Sequence, residues 1–274
     1  MICSIKYSLY FRKVITREIC EFYFMKLLLL IFCLLSNPSV DVLSEAKSFL
    51  GIPYVAGTLE VEGEERLVVN TNELDCTTFV ELSVARWLAL QSDSISFEKQ
   101  VQKLRYRDGV VDGYLSRLHY FTDWVAENEH RGVWHEVLPE EGEHFWQCDT
   151  LTLSFMSKHP QSYPYLKANE WAVDSMRRIE KRYADYPIYY IGKEFLNLPP
   201  ESLPIRNGDI LALVTTIEGL DVTHLGFAVW KGDKLHLMHA SMTHGKVVID
   251  ERTLYDYLQT RRSCPGVRVV RLSQ

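Results

Sequence analysis

Residues 79–90 read Phe-Val-Glu-Leu-Ser-Val-Ala-Arg-Trp-Leu-Ala-Leu, apolar on nearly every side of a helical turn. A run of that length and composition has to be buried, so a core must be built around it. It opens on Leu74-Asp75-Cys76-Thr77-Thr78. Asp75 is a good N-cap, because its carboxylate can accept from the unpaired amides of the first turn. That puts a cysteine at the head of a central, buried helix.

The rest of the chain divides by period. Helices are expected over 42–50, 97–105, 116–128 and 169–183, and a hairpin over 60–69 turning at Gly63. Residues 105–170 are rich in Trp, Tyr, His and Pro and read as loop-heavy, within a mostly helical insertion spanning about 95–200. From Gly208 onward short β-rich segments separated by turns cover 209–216, 223–231, 234–240, 246–250 and 266–272. Helices first and antiparallel strands last give an α+β domain over 41–274.

The start of the chain is a separate problem. Met25-Lys26 leads into an unbroken apolar run, Leu27 to Leu35, and then Ser36-Asn37-Pro38-Ser39. A basic start, an apolar centre and a turn-prone end make a secretory signal peptide over 25–40, with 1–24 an over-extended gene start. The alternative is an N-terminal membrane anchor, although the run is short for a spanning helix. Of the 30 Lys/Arg and 36 Asp/Glu, the first 40 residues hold five and two, which leaves a body of formal charge about −9. Such a body is a poor partner for nucleic acid, and no stable membrane insertion is expected once the leader is removed. An exported, periplasmic monomer is the expectation. Three cysteines follow the leader, Cys76, Cys148 and Cys264. An odd count leaves at least one thiol free, and Cys148 and Cys264 either pair or stay as separate thiols.

Cys76 sits where chemistry is available. A helix N-terminus lowers a thiol's pKa, and its free N–H groups can meet an oxyanion. A nucleophilic thiol needs a base, and the strand region holds His224, His236 and His239. Lys231-Gly232-Asp233-Lys234 reads as a two-residue hairpin turn. That register sets His224 opposite Ser241 and Gly226 opposite His239. His224 and His239 then share a face as diagonal neighbours, and His236 lies on the other. His224 is the expected base and His239 its orienter; a one-residue slip would exchange His239 for His236. A zinc site at His236, His239 and His244 lacks the HExxH or paired-cysteine spacing that such sites use.

Taken in order, Ala46-Lys47-Ser48-Phe49-Leu50-Gly51-Ile52-Pro53-Tyr54, Asp75-Cys76, Asn207-Gly208-Asp209-Ile210, His224-Leu225-Gly226 and His239-Ala240-Ser241 resemble the NlpC-type superfamily of papain-like cysteine peptidases and amidases of the bacterial cell wall. Thr77-Thr78 stands where that superfamily usually has Ser-Gly. Thr58-Leu59-Glu60, Arg105-Tyr106-Arg107-Asp108-Gly109, Ser116-Arg117-Leu118-His119-Tyr120, Trp124 and Gly219-Leu220-Asp221 are similar to the branch resembling N-acetylmuramoyl-L-alanine amidases. The resemblance covers roughly 43–272. It implies a papain-like core, with the Cys76 helix packed on the strands of His224 and His239. It further implies cleavage of the amide between N-acetylmuramic acid and L-alanine in peptidoglycan or muropeptides, with no metal and no cofactor. Residues expected at the substrate are Tyr54, Thr58, Asp75, Thr77, Arg117, Tyr120 and Ser241. Arg105, Arg107 and Arg117 either hold carboxylates of the stem peptide or pair with local acids such as Asp108 and Asp123. The rival readings are an endopeptidase cutting between D-glutamate and the diamino acid, and a non-catalytic wall-binding protein.

Overall fold

Asp41 accepts from the Leu43 amide at 3.2 Å, which caps helix α1, Val42–Lys47. The computed structural model describes residues 41–273 except 62 and 93, so the leader expected over 25–40 and the extension before it lie outside the described residues. Three helices follow before any strand: α2, Cys76–Leu90, α3, Phe97–Arg105, and α4, Phe121–His130. Next come β1, Trp134–Glu136, and β2, Trp146–Leu151, then α5, Phe155–Lys158, α6, Pro164–Ala168, and α7, Glu170–Glu180. The chain closes with β3, Tyr186–Gly192, β4, Ile210–Val214, β5, Val222–Lys231, β6, Lys234–Ser241, β7, Lys246–Ile249, α8, Leu254–Gln259, and β8, Gly266–Leu272.

All eight strands join one antiparallel sheet, ordered β2-β3-β8-β4-β5-β6-β7, with β1 paired to β8. Alternation along the strands gives the sheet two apolar faces. Ile210, Ala212, Leu225, Phe227, Met238 and Ala240 face α1, α2, α3 and α4. Leu211, Leu213, Ala228, Leu237, Val267 and Val269 face α8 and the 196–205 segment. The α2 helix lies on β5 and β6, and Phe79 meets Phe227 edge-on at 5.6 Å.

Helix α2 begins at Cys76. Asp75 Oδ1 accepts from the Thr78 amide at 2.8 Å, and the Asp75 amide donates to Thr78 Oγ1 at 2.9 Å. Thr78 thus closes a capping box, which gives a physical reason for a threonine there. Inside, Glu81 would be an unpaired charge except that Arg105 on α3 meets it at 2.5 Å, both side chains 3% exposed.

Two expectations need correction. The 60–69 segment forms no hairpin. Instead its Val68 carbonyl accepts from Arg105 on α3, and the hydroxyl of the next residue, Tyr106, donates to the Glu65 carboxylate at 2.7 Å and to the Arg66 carbonyl at 3.1 Å. The segment about 95–200 carries five α-helices, α3 to α7, but it also supplies three strands that were not expected, β1, β2 and β3. Strand β2 is an edge strand with four consecutive exposed residues, Gln147 to Thr150, so it carries no alternating signal.

Candidate active site

The β5–β6 hairpin adopts the register read from its turn, with Lys231 opposite Lys234 and Phe227 opposite Met238. Carried one residue further, that register needs the strands close at Gly226. A Cβ there would lie 2.6 Å from the Met238 carbonyl oxygen, so only glycine fits. His224 and His239 fall on the Ala228 and Leu237 face, and His224 Nε2 meets His239 Nδ1 at 2.6 Å. His236 lies on the other face, buried, with Nδ1 on the Asp250 carbonyl at 2.9 Å. His244 belongs to the β6–β7 turn, bound to Ser241 Oγ at 3.0 Å, so the three histidines weighed as zinc ligands do not converge.

Cys76 and His224 line one cleft of about 130 Å³, walled by Thr77, by Leu118 to Phe121 and Trp124, and by the 220–225 segment. The thiol is half-buried. Backbone amides of Leu225 and Thr77 favour its thiolate, but burial and the neighbouring Asp75 carboxylate outweigh them and push the thiol up to about 11. The helix start therefore does not by itself make a resting thiolate. Burial also lowers the imidazoles, His224 to about 3 with His239 and Arg261 adding to the effect, and His239 to about 4. At neutral pH the resting site is a thiol beside two neutral imidazoles. Such a pair works by moving a proton to the base as the thiol attacks.

Behind the histidines stands a shell of charges. His239 is fully buried, and its Nε2 lies 3.7 Å from Asp250 Oδ2. Arg252 grips Asp250 at 2.9 Å. The Tyr257 ring meets His239 edge-on at 5.4 Å, and the Arg261 guanidinium lies 3.7 Å over the Tyr257 ring. None of Asp250, Arg252, Tyr257 and Arg261 was expected from the sequence. The β6–β7 turn was the available signal, since His239 opposite Val248 makes Asp250 its diagonal neighbour.

The expected substrate residues separate into two groups. Thr77 is exposed at the cleft mouth, and Tyr54 is half-buried, its hydroxyl raised by burial and by Cys76 and Asp75 nearby. Asp75 is occupied as the helix cap. Arg117, in contrast, is 5% exposed and holds Glu60 at 2.8 Å and the Leu59 carbonyl at 3.1 Å. Tyr120 lines the cleft with its ring, but its hydroxyl donates to Glu180 and accepts from the Met156 amide, each at 2.7 Å. Ser241 is buried against His244, and Thr58 keeps its hydroxyl buried without a partner. Arg105 and Arg107 are likewise committed, to Glu81 and to Asp123 with Glu127. Arg107 and Arg117 thereby anchor the 117–124 segment, and Arg105 ties α3 to α2. Cys148 is exposed on β2 and Cys264 is buried beside Gly266, so both are free thiols.

Among the described residues no helix is long and apolar enough to cross a membrane. Comparison with known proteins follows the same geometry. An N-acetylmuramoyl-L-alanine amidase from Bacteroides uniformis superposes with a TM-score of 0.79 at 40% identity, over 86% of this chain and 99% of that one. A Bacteroides fragilis protein described as a putative xylanase superposes with a TM-score of 0.76 at 42% identity, over 84% and 99%. A Legionella pneumophila protein at 20% identity shares the fold alone, with a TM-score of 0.64 over 86% and 89%. No curated protein matches the chain. The profile of the N-acetylmuramoyl-L-alanine amidase-like (AmiA-like) family matches residues 44–267, and to that family the chain belongs.

Proposed function

We propose that this protein hydrolyses the amide between the lactyl group of N-acetylmuramic acid and L-alanine, in peptidoglycan or its released fragments, through a thioester on Cys76. The observation that carries the reading is one cleft holding a cysteine at a helix N-terminus and a histidine whose far nitrogen is held by a second histidine at 2.6 Å. In the acylation step Cys76 Sγ attacks the lactyl carbonyl while its proton passes to His224 Nδ1. The tetrahedral oxyanion is met by the Thr77 and Leu225 amides, the groups that already favour negative charge on the sulfur. Collapse breaks the C–N bond, and His224 gives its proton to the departing L-alanine amine. Water, deprotonated by His224, then releases the sugar acid and restores the thiol. The protein acts as an exported monomer, with a papain-like arrangement of helix and sheet.

The name carried by the Bacteroides fragilis relative implies glycoside hydrolysis, which ordinarily needs two carboxyl groups flanking the bond. The cleft here is lined by one, Asp221, and both its oxygens are taken by the Thr122 and Val222 amides at 2.7 and 2.9 Å. The amide reading is the better supported.

The test is incubation of purified protein with a muropeptide of defined stem and mass spectrometry of the products, with Cys76→Ala as control. Free sugar and a peptide beginning with L-alanine are expected. A sugar still bearing L-Ala-D-Glu would move the cut into the stem. Turnover retained by Cys76→Ala would end the thioester mechanism. His224→Ala should remove most activity and His239→Ala less.

A further inference from the structure

A base at Cys76 requires a particular proton arrangement, and the structure contains the group that imposes it. His239 directs Nδ1 at His224 Nε2, 2.6 Å away. Its other nitrogen, Nε2, is sealed from solvent and has no hydrogen-bond partner at normal distance. The carboxylate that approaches it is Asp250, with Oδ2 at 3.7 Å. Asp250 follows the last residue of β7 and is itself buried. Arg252 fixes its orientation, with its amide and Nε donating to Oδ1 at 2.9 and 3.0 Å and Nη2 donating to Oδ2 at 2.9 Å. Burial raises the carboxyl's pKa, but these bonds from Arg252 overcome it and bring it down to about 2. An ionised carboxylate can only accept.

The consequence runs along the row of side chains. With an acceptor beside Nε2, the His239 proton belongs on Nε2, and Nδ1 is left bare. The 2.6 Å contact then needs its proton from His224 Nε2. His224 Nδ1 is left with its lone pair, as a nitrogen that can take a proton from Cys76. We infer that Asp250 is a positioning residue that sets the tautomer of His239, and through it that of His224, so that the nitrogen left for Cys76 is a base. The inference rests on the proposed roles of Cys76 and His224, and it extends the site beyond its three expected members.

Among the described residues, four other charged, titratable or aromatic groups surround His239 besides Asp250 and Arg252: His224, His244, Arg261 and Tyr257. His224 on β5 meets the other nitrogen, Nδ1, His244 in the β6–β7 turn is engaged with Ser241 Oγ, and Arg261 beyond α8 can only donate. Tyr257 presents a ring edge, which orients the imidazole but carries no tautomer information. Arg252 reaches His239 only through Asp250. Asp250 is the one anionic group acting on His239 among the described residues.

The test compares Asp250→Asn with Asp250→Ala. In the asparagine variant the carbonyl oxygen stays with the two Arg252 donors that hold Oδ1, and the amide N–H₂ faces His239. A donor there forces the proton to His239 Nδ1, which turns His224 around and removes the base. Asparagine, the closer match in shape, is therefore expected to be the worse variant. Its kcat/KM should fall on the order of 10²–10⁴-fold, with a smaller loss in Asp250→Ala, although alanine should melt lower. A purely structural role predicts the reverse order. Two readouts do not depend on the substrate. Nitrogen-15 NMR of the histidine rings in a Cys76→Ala background should show Nε2–H on both His224 and His239, moving to Nδ1–H in Asp250→Asn. Alkylation of Cys76 by iodoacetamide should slow in Asp250→Asn more than in Asp250→Ala. If those two changes occur while no muropeptide is cut, the proposed substrate is wrong and the tautomer role stands. Unchanged tautomers, or an asparagine variant more active than alanine, would overturn it.

Discussion

At the scale of single residues the site turns on how burial treats each ionisable group. Cys76 stands at the amino end of α2 and still titrates high, because burial and Asp75 outweigh the two amides beside the sulfur. A thiol of that kind should be alkylated slowly at pH 7, with a rate rising about tenfold per pH unit toward pH 10. A rate already flat below pH 7 would instead mark a resting thiolate–imidazolium pair. Asp75→Asn keeps an oxygen for the helix cap and removes the charge, so it should lower the thiol's pKa and speed alkylation at pH 8 without loss of melting temperature. The helix start at Cys76 was legible because Asp-Cys-Thr-Thr before an apolar run is a local signal. The thiol's titration was not, since it depends on how far the fold desolvates the sulfur. Arg117 and Tyr120 make the same point from the other side. Their residue types suit a ligand, and only the fold revealed that Glu60 and Glu180 already occupy them.

At the scale of elements, α2 is held by its cap at one end and by a buried ion pair along its length. Removing one partner of a buried pair leaves a desolvated charge, so Arg105→Met should cost about 3–5 kcal/mol in denaturant unfolding. Adding Glu81→Leu should return most of that loss; a double variant no better than the single would show that the arginine's bond to the Val68 carbonyl dominates. The β5–β6 hairpin holds the two histidines together, and its close approach is at Gly226. Gly226→Ala should push the strands apart between His224 and His239. Activity should drop at least tenfold, with a fall in melting temperature that a remote strand glycine change would not match. This hairpin could be read in advance because a two-residue turn sets the register of everything after it. Strands β1 and β2 could not, because a three-residue strand and an exposed edge strand leave no period in the sequence, and β3 fell within the insertion read as mostly helical.

Across the whole molecule, three histidines are held neutral by burial. His119 is lowered to about 3 by burial and by Arg117, alongside His224 and His239. A histidine lowered in the fold keeps its stabilising contribution above its unfolded value of about 6.5 and loses it as pH falls toward the folded value. Stability should therefore decline from about pH 6.5 toward pH 3–4, as read by denaturant unfolding at successive pH values. The double variant His224→Gln/His239→Gln should flatten that slope. An unchanged slope would assign the acid sensitivity to carboxylates such as Asp250, which is itself lowered to about 2.

What the sequence determined alone is whatever short-range chemistry can encode. It set the α2 start at Cys76, the hairpin register that joins His224 to His239, the run of strands from Gly208 onward, and through its ordered motifs the family. What only the tertiary structure decided depends on segments far apart meeting in a low-dielectric interior. That includes the pairing of Arg105 with Glu81, the closing of the cleft by the 118–124 and 220–225 segments, and the arrival of Asp250 behind His239. Local pattern cannot specify those contacts, because each is fixed by packing between elements rather than by the spacing within one.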